Sequence, residues 1–241
     1  MNDYNYNEMF TRHKINLDIT HRCPLECLCC QRWSSYTKFG LKVPGEDLPY
    51  EDFIKIANHF DHLNFCGQVS DPVHHPKFIE FLEYSYKNKN SVSVHHASGA
   101  KPESWYEKAF QANPSARWVF GIDGLPHQSN KYRINQDGEK LYRMMKLGRK
   151  YLHKKDVIWQ MIVFSYNEDK IPEVMKMAAE ADVTFMTLIS SRWRTPDDWL
   201  KPRGDKLSLD LYKDDERKVL RDLDNSTLEK LKGKTKNVTN L

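Results

Sequence analysis

Four of the five cysteines fall within eight residues, at Cys23, Cys27, Cys29 and Cys30; the fifth is Cys66. Cys23, Cys27 and Cys30 form a C-x3-C-x2-C pattern inside Leu17-Asp-Ile-Thr-His-Arg-Cys-Pro-Leu-Glu-Cys-Leu-Cys-Cys. Thiolates are soft donors and suit zinc or iron–sulfur chemistry. Clustering this dense, in a chain without a disulfide framework, points to metal or redox work. A structural zinc site draws a second ligand pair from farther along the chain. No such pair stands out: Cys66 is single, and His74-His75 and His95-His96 are adjacent pairs with the wrong spacing. Three cysteines on a short loop can instead wrap one face of a cubane [4Fe–4S] cluster and leave the fourth iron without a protein thiolate.

Such a loop needs a scaffold. The 241 residues suffice for one sizeable core. Short β-branched or aromatic runs at 15–19, 63–66, 92–94, 118–122, 157–164 and 183–189 read as strands. Between them, apolar residues at helical spacing mark 50–60, 77–86, 104–112, 139–152 and 170–181. Pro172 falls in a first helical turn, where a missing N–H costs little. This alternation predicts an α/β fold with a parallel sheet. Six units are too few for a closed eight-stranded barrel, so the expectation is a partial (β/α)6 TIM-like barrel, or an open doubly wound sheet, with a short helical C-terminal extension. Residues 1–13 read as an N-terminal extension, 14–198 as the core and 199–241 as a basic appendage. That appendage is expected to be helical at 207–223 and 227–231 and frayed at its end. Ligands gather at the C-terminal strand ends of such folds, where the cysteines lie.

The cysteine motif resembles the signature of the radical S-adenosylmethionine (SAM) superfamily, and it stands after the first strand as in that family. Weaker likenesses follow in order. Gly67-Gln-Val-Ser70-Asp71-Pro resembles a degenerate Gly-Gly-Glu-Pro motif, whose task is to accept hydrogen bonds from the SAM ammonium group. His95-His96-Ala-Ser98-Gly stands where a Thr-Asn-Gly-type turn is common; Ser98 is then a candidate SAM contact and either histidine a candidate for the substrate side. Gly121-Ile-Asp123-Gly resembles a Ser-Ile-Asp-Gly turn, in which Gly121 replaces the serine and offers no hydroxyl to SAM. Arg133 downstream offers a two-pronged donor for the SAM carboxylate. Asp123 is assigned to the ribose or to capping its own turn. Gln160, an amide in an apolar strand, and Ser190, after the sixth strand, complete the candidates. The likeness spans about residues 14 to 190 and implies a short single-domain member without an auxiliary-cluster domain. Cys29 departs from it, standing where an aromatic residue is common.

What the resemblance implies is a [4Fe–4S] cluster on Cys23, Cys27 and Cys30, with SAM on the open iron. An external electron donor such as flavodoxin or ferredoxin reduces the cluster. SAM is then cleaved to methionine and a 5′-deoxyadenosyl radical, which takes hydrogen from a small substrate. Arg192-Trp-Arg194 mixes cations with an aromatic plane and suits a nucleotide or modified base; an amino-acid-like substrate fits nearly as well. Two other readings stand beside this one: an activase that installs a glycyl radical on a partner protein, and a non-enzymatic zinc or iron–sulfur binding module. The net charge of +4 does not mark a nucleic-acid binder. Apolar runs are too short for a membrane span, and the start of the chain has no secretory pattern. A cytoplasmic protein with reduced thiols is expected.

Overall fold

The computed structural model describes residues 14–43, 45–189 and 198–203, with the backbone of 217–220. Six parallel strands follow one another in sheet order: β1 Lys14–Leu17, β2 His62–Phe65, β3 Ser91–His96, β4 Arg117–Gly121, β5 Val157–Val163 and β6 Thr184–Ile189. Each pairs in parallel with the next. Sequential order with right-handed crossovers sends the crossover helices to the same side and fits the expected α/β partial barrel.

The helices are α1 Gln31–Phe39, α2 Tyr50–His59, α3 Phe78–Lys87, α4 Glu103–Ala112, α5 Gly138–Gly148 and α6 Ile171–Glu180. Five match the expected stretches within a few residues. α1 has no counterpart among them: none of its residues is buried, although Trp33, Tyr36 and Phe39 recur every three positions along it. It is delimited by Cys30 at its start and by Gly40 at φ +66° at its end.

Side chains alternate between the faces of a strand, and here the two faces differ. Val157, Trp159, Met161 and Val163 of β5 join the main core beneath the helices. That core is densely aromatic; the Phe53 and Phe81 rings stack at 4.0 Å. Ile158, on the opposite face, meets Val119 and Met186 in a small inner cluster. The concave side of the barrel is therefore apolar at its base and free for function at its rim.

The helical expectation for 207–223 is corrected in part. Arg217–Leu220 forms a seventh strand, β7, antiparallel to β6, with Leu188 opposite Arg217 and Phe185 opposite Leu220. The unpaired edge of β6 offers a row of backbone partners, and that pairing overrides the local helical pattern. Ser190, the Arg192–Arg194 motif and the helix expected at 227–231 lie outside the described residues.

Candidate cluster and cofactor site

The cysteine loop is held by its backbone from two sides. On one side, the Glu26 N–H donates to the Ile134 carbonyl at 3.1 Å and the Leu28 N–H to that of Tyr132 at 3.3 Å. On the other, the Arg22 carbonyl accepts from the Asp71 N–H at 3.0 Å. The buried Leu25 anchors the middle. The Cys30 N–H closes a turn onto the Cys27 carbonyl at 3.0 Å, and α1 starts immediately afterwards. Cys23, Cys27, Cys29 and Cys30 all line one cavity of about 670 Å³, at the C-terminal end of the sheet. This is within the size range of small-molecule sites. No cysteine is in a disulfide.

Burial pushes the Cys23 thiol up to about 12, with Asp71 adding to it. Burial likewise pushes Cys27 up to about 11, opposed by the Arg133 guanidinium. These thiols are therefore protonated near neutrality, and a metal must displace the protons. The donor set at the loop is all sulfur, which fits an iron–sulfur cluster. Among the described residues no three His, Cys, Asp or Glu side chains converge on a point as a single ion requires.

The second wall is the turn after β2. Gly67 has φ +52°, and a Cβ there would meet the Ser70 carbonyl oxygen at 2.2 Å, so the turn admits only glycine. Asp18, which sequence reasoning missed, ties this turn to β1. Its carboxylate accepts from the Ser70 hydroxyl at 2.6 Å and from the Gln68 N–H at 2.9 Å. Gly67, Ser70 and Asp71 all line the cavity. The Asp71 carboxylate already accepts from the N–H groups of Ala97 at 3.0 Å, Ser98 at 2.9 Å and Val73 at 3.3 Å. Its structural work is to clamp the turn after β3. Ser98 is not in the cavity wall; its hydroxyl is 2.9 Å from His74 Nε2.

The third wall follows β4. Arg133 lines the cavity, and its Nε donates to Asp123 Oδ2 at 2.7 Å. Its terminal amino groups have no hydrogen-bond partner among the described residues. The guanidinium lies over the Tyr132 ring at 5.8 Å. Asp123 is fully buried, outside the cavity wall, and also accepts from the Ile162 N–H at 2.7 Å. Burial disfavours charge on both members, but at Arg133 the neighbouring Asp123, Cys27 and Tyr132 together outweigh it and hold the guanidinium protonated. A Cβ at Gly121 would meet an Arg133 amino nitrogen at 2.9 Å. The glycine, where the resembling motif has serine, thus leaves the room in which Arg133 lies. Gln136, also missed, donates to the carbonyls of Ala97 and Gly121 (the latter at 2.8 Å) and locks β3 to β4.

Gln160 faces the cavity with Val119, Ile162 and Leu188 around it, and its amide makes no hydrogen bond within the described residues. The pleat of β3 separates the two histidines. His95 is half-buried on the cavity side. His96 also borders the cavity, but its ring packs against Tyr106, Trp118 and Phe120, with ring centroids 5.0–5.6 Å apart. The structure therefore brings together Cys23, Cys27, Cys30, Gly67, Ser70, Asp71, Arg133 and Gln160. Ser98 and Asp123 act through neighbours, and Ser190 lies outside the described residues. Asp18 carried a sequence signal, a carboxylate in an apolar strand; Gln136 carried none.

No protein-family model and no curated protein matches the chain. Several solved structures do. SuiB of Streptococcus suis aligns with a TM-score of 0.60 at 12% identity, over 95% of this chain and 46% of SuiB; it has also been solved bound to S-adenosylmethionine. TYW1 with a lysine–pyruvate adduct bound gives 0.58 at 16% identity, over 86% and 76%. The anSMEcpe protein with bound AdoMet gives 0.53 at 20% identity, over 73% and 50%. The chain thus spans about half the length of SuiB and of anSMEcpe. At these identities the likeness establishes the fold.

Proposed function

We propose that this chain, whose fold is that of radical SAM enzymes, is itself one, acting on a small molecule. One observation carries the reading: the thiols of Cys23, Cys27 and Cys30 line the same cavity as the Arg133 guanidinium and the Gly67–Asp71 turn. Cys23, Cys27 and Cys30 would hold a [4Fe–4S] cluster. When bound, cluster and SAM supply reductive cleavage of SAM and a 5′-deoxyadenosyl radical that takes hydrogen from the substrate.

The chain's own residues bind and orient. Arg133, held charged by Asp123, presents two amino groups to a carboxylate, the geometry that a methionine moiety requires. Gly67, Gln68, Val69 and Ser70 of the turn line the same cavity, and backbone carbonyls there would suit an ammonium group. Val119, Ile162 and Leu188 form an apolar wall that keeps water from the reacting C–H bond. Gln160 supplies the polar contact on that wall, to SAM or to substrate. A nucleotide or modified base remains the substrate class favoured by Arg192-Trp193-Arg194. A flavodoxin or ferredoxin would supply the electron, in the cytoplasm, where the thiols stay reduced.

Anaerobic reconstitution tests the reading. The protein should bind about four irons and four sulfides, and Cys23→Ala should lose them. With dithionite and SAM it should form 5′-deoxyadenosine. A chain that takes up zinc in place of iron, or an intact cluster that leaves SAM uncleaved, overturns it.

A further inference from the structure

α1 and the residues after it form a surface that nothing in the fold uses. Among the described residues only five large hydrophobic side chains are exposed, and three of them fall within six positions: Tyr36 (46%), Phe39 (72%) and Leu41 (59%). The Trp33 and Tyr36 rings stack at 5.5 Å. With Leu41 they border a groove of about 340 Å³ that also touches Cys23. Exposed apolar surface gathered in this way marks an interaction site.

The charge around it has a positive excess. Arg32 and Lys42 line the groove, against Glu26 as the acidic residue of that lining, and Lys38 follows on α1. None of the three is ion-paired within the described residues. Lys38 and Lys42 are exposed, while Arg32 faces both the groove and the cluster cavity. A two-fold dimer through this patch would set its positive excess against the same excess on the second copy. An acidic partner is complementary.

Position selects the partner. α1 begins directly after Cys30, and the groove shares Cys23 with the main cavity. A protein seated on the groove therefore lies against the loop that holds the cluster ligands. We propose that this patch is the docking surface for an acidic one-electron carrier protein. The apolar side chains of Trp33, Tyr36, Phe39 and Leu41 grip it, and Arg32, Lys38 and Lys42 orient it. One electron leaves the carrier, which is oxidised by one, and enters the site, which is reduced by one. This deepens the functional reading above and rests on it.

The test uses the reconstituted holoprotein and flavodoxin as the acidic carrier. Binding is measured by calorimetry, without turnover, for the wild type and for the Lys38→Glu/Lys42→Glu and Phe39→Ser variants. None of these residues belongs to the cluster or SAM site. The wild type should bind, with affinity falling as salt rises. Each variant should bind about tenfold more weakly or worse. In turnover, 5′-deoxyadenosine formation driven by flavodoxin should fall in the variants, while formation driven by dithionite should match the wild type. Variant affinities equal to the wild type overturn the proposal, as does an equal fall with both reductants. A wild-type dimer that Phe39→Ser splits gives the patch to a second copy and overturns it too. The functional reading fails separately, through absence of 5′-deoxyadenosine with dithionite in the wild type.

Discussion

The ion pair between Arg133 and Asp123 gives the most direct test of how this site is held. The Asp123 side chain is fully buried and that of Arg133 is 13% exposed. Their contact is 2.7 Å. Asp123→Asn keeps an oxygen for the Ile162 N–H but leaves the guanidinium without a counter-charge. Breaking a buried pair in this way costs about 3–5 kcal/mol. For a chain of this size about 1 kcal/mol moves the melting temperature by roughly 2–4 °C, so a fall of about 6–20 °C is expected. Arg133→Met should cost a similar amount, because it strands the carboxylate. Removing both charges should restore at least half of the loss, since a pair replaced by apolar groups is often near neutral. The assay is thermal unfolding of the metal-free, reduced protein, followed by circular dichroism, for both single variants and the double variant. A loss under about 1 kcal/mol in the single variants, or a double variant equal to the sum of the two, refutes the argument. In the holoprotein Asp123→Asn should also weaken SAM binding, because Arg133 is no longer aimed.

Gly67→Ala should destabilise the turn by about 1–3 kcal/mol, because φ +52° and the 2.2 Å clash act together; calorimetric titration should show SAM affinity falling with it. Gly121→Ser, which restores the residue common in the resembling motif, should push Arg133 aside and weaken SAM binding at least about tenfold, a loss of about 1.4 kcal/mol. His96 is buried in an aromatic cage, and burial lowers it from 6.5 to about 4. Its neutral form is thus favoured in the folded state, so stability is present above pH 6.5 and is lost as pH falls from there toward 4. The loss is about 3 kcal/mol at most; His96→Phe should flatten that part of the stability–pH curve, and an unchanged slope refutes it.

The strands were legible because each is a short apolar run buried on the helix side, and β5 alternates its two faces visibly along 157–163. α1 was not legible, because Trp33, Tyr36 and Phe39 recur at helical spacing over only nine polar-rich residues and bury nothing in the core. β7 escapes a local reading because a four-residue strand is defined by its partner β6, which spacing along the chain cannot show. The cysteine cluster and Arg133 stood out by residue type. The direction of Asp123 did not: it stands ten positions before Arg133, across a short 3-10 helix, and only the folded backbone turns its carboxylate inward. Gly121 reads in the sequence as a missing hydroxyl and in the structure as space for a guanidinium.

The cysteine loop owes its shape to amides and carbonyls borrowed from the 132–135 and 71 segments, and no thiol takes part in those anchors. The conformational entropy of arranging the loop is thus settled when the chain folds. Metal affinity is then not diverted into ordering a disordered segment. On the proposed reading, a centre destroyed by oxygen would leave behind an intact receptacle, and repair would be a matter of delivering iron and sulfide to a finished mould.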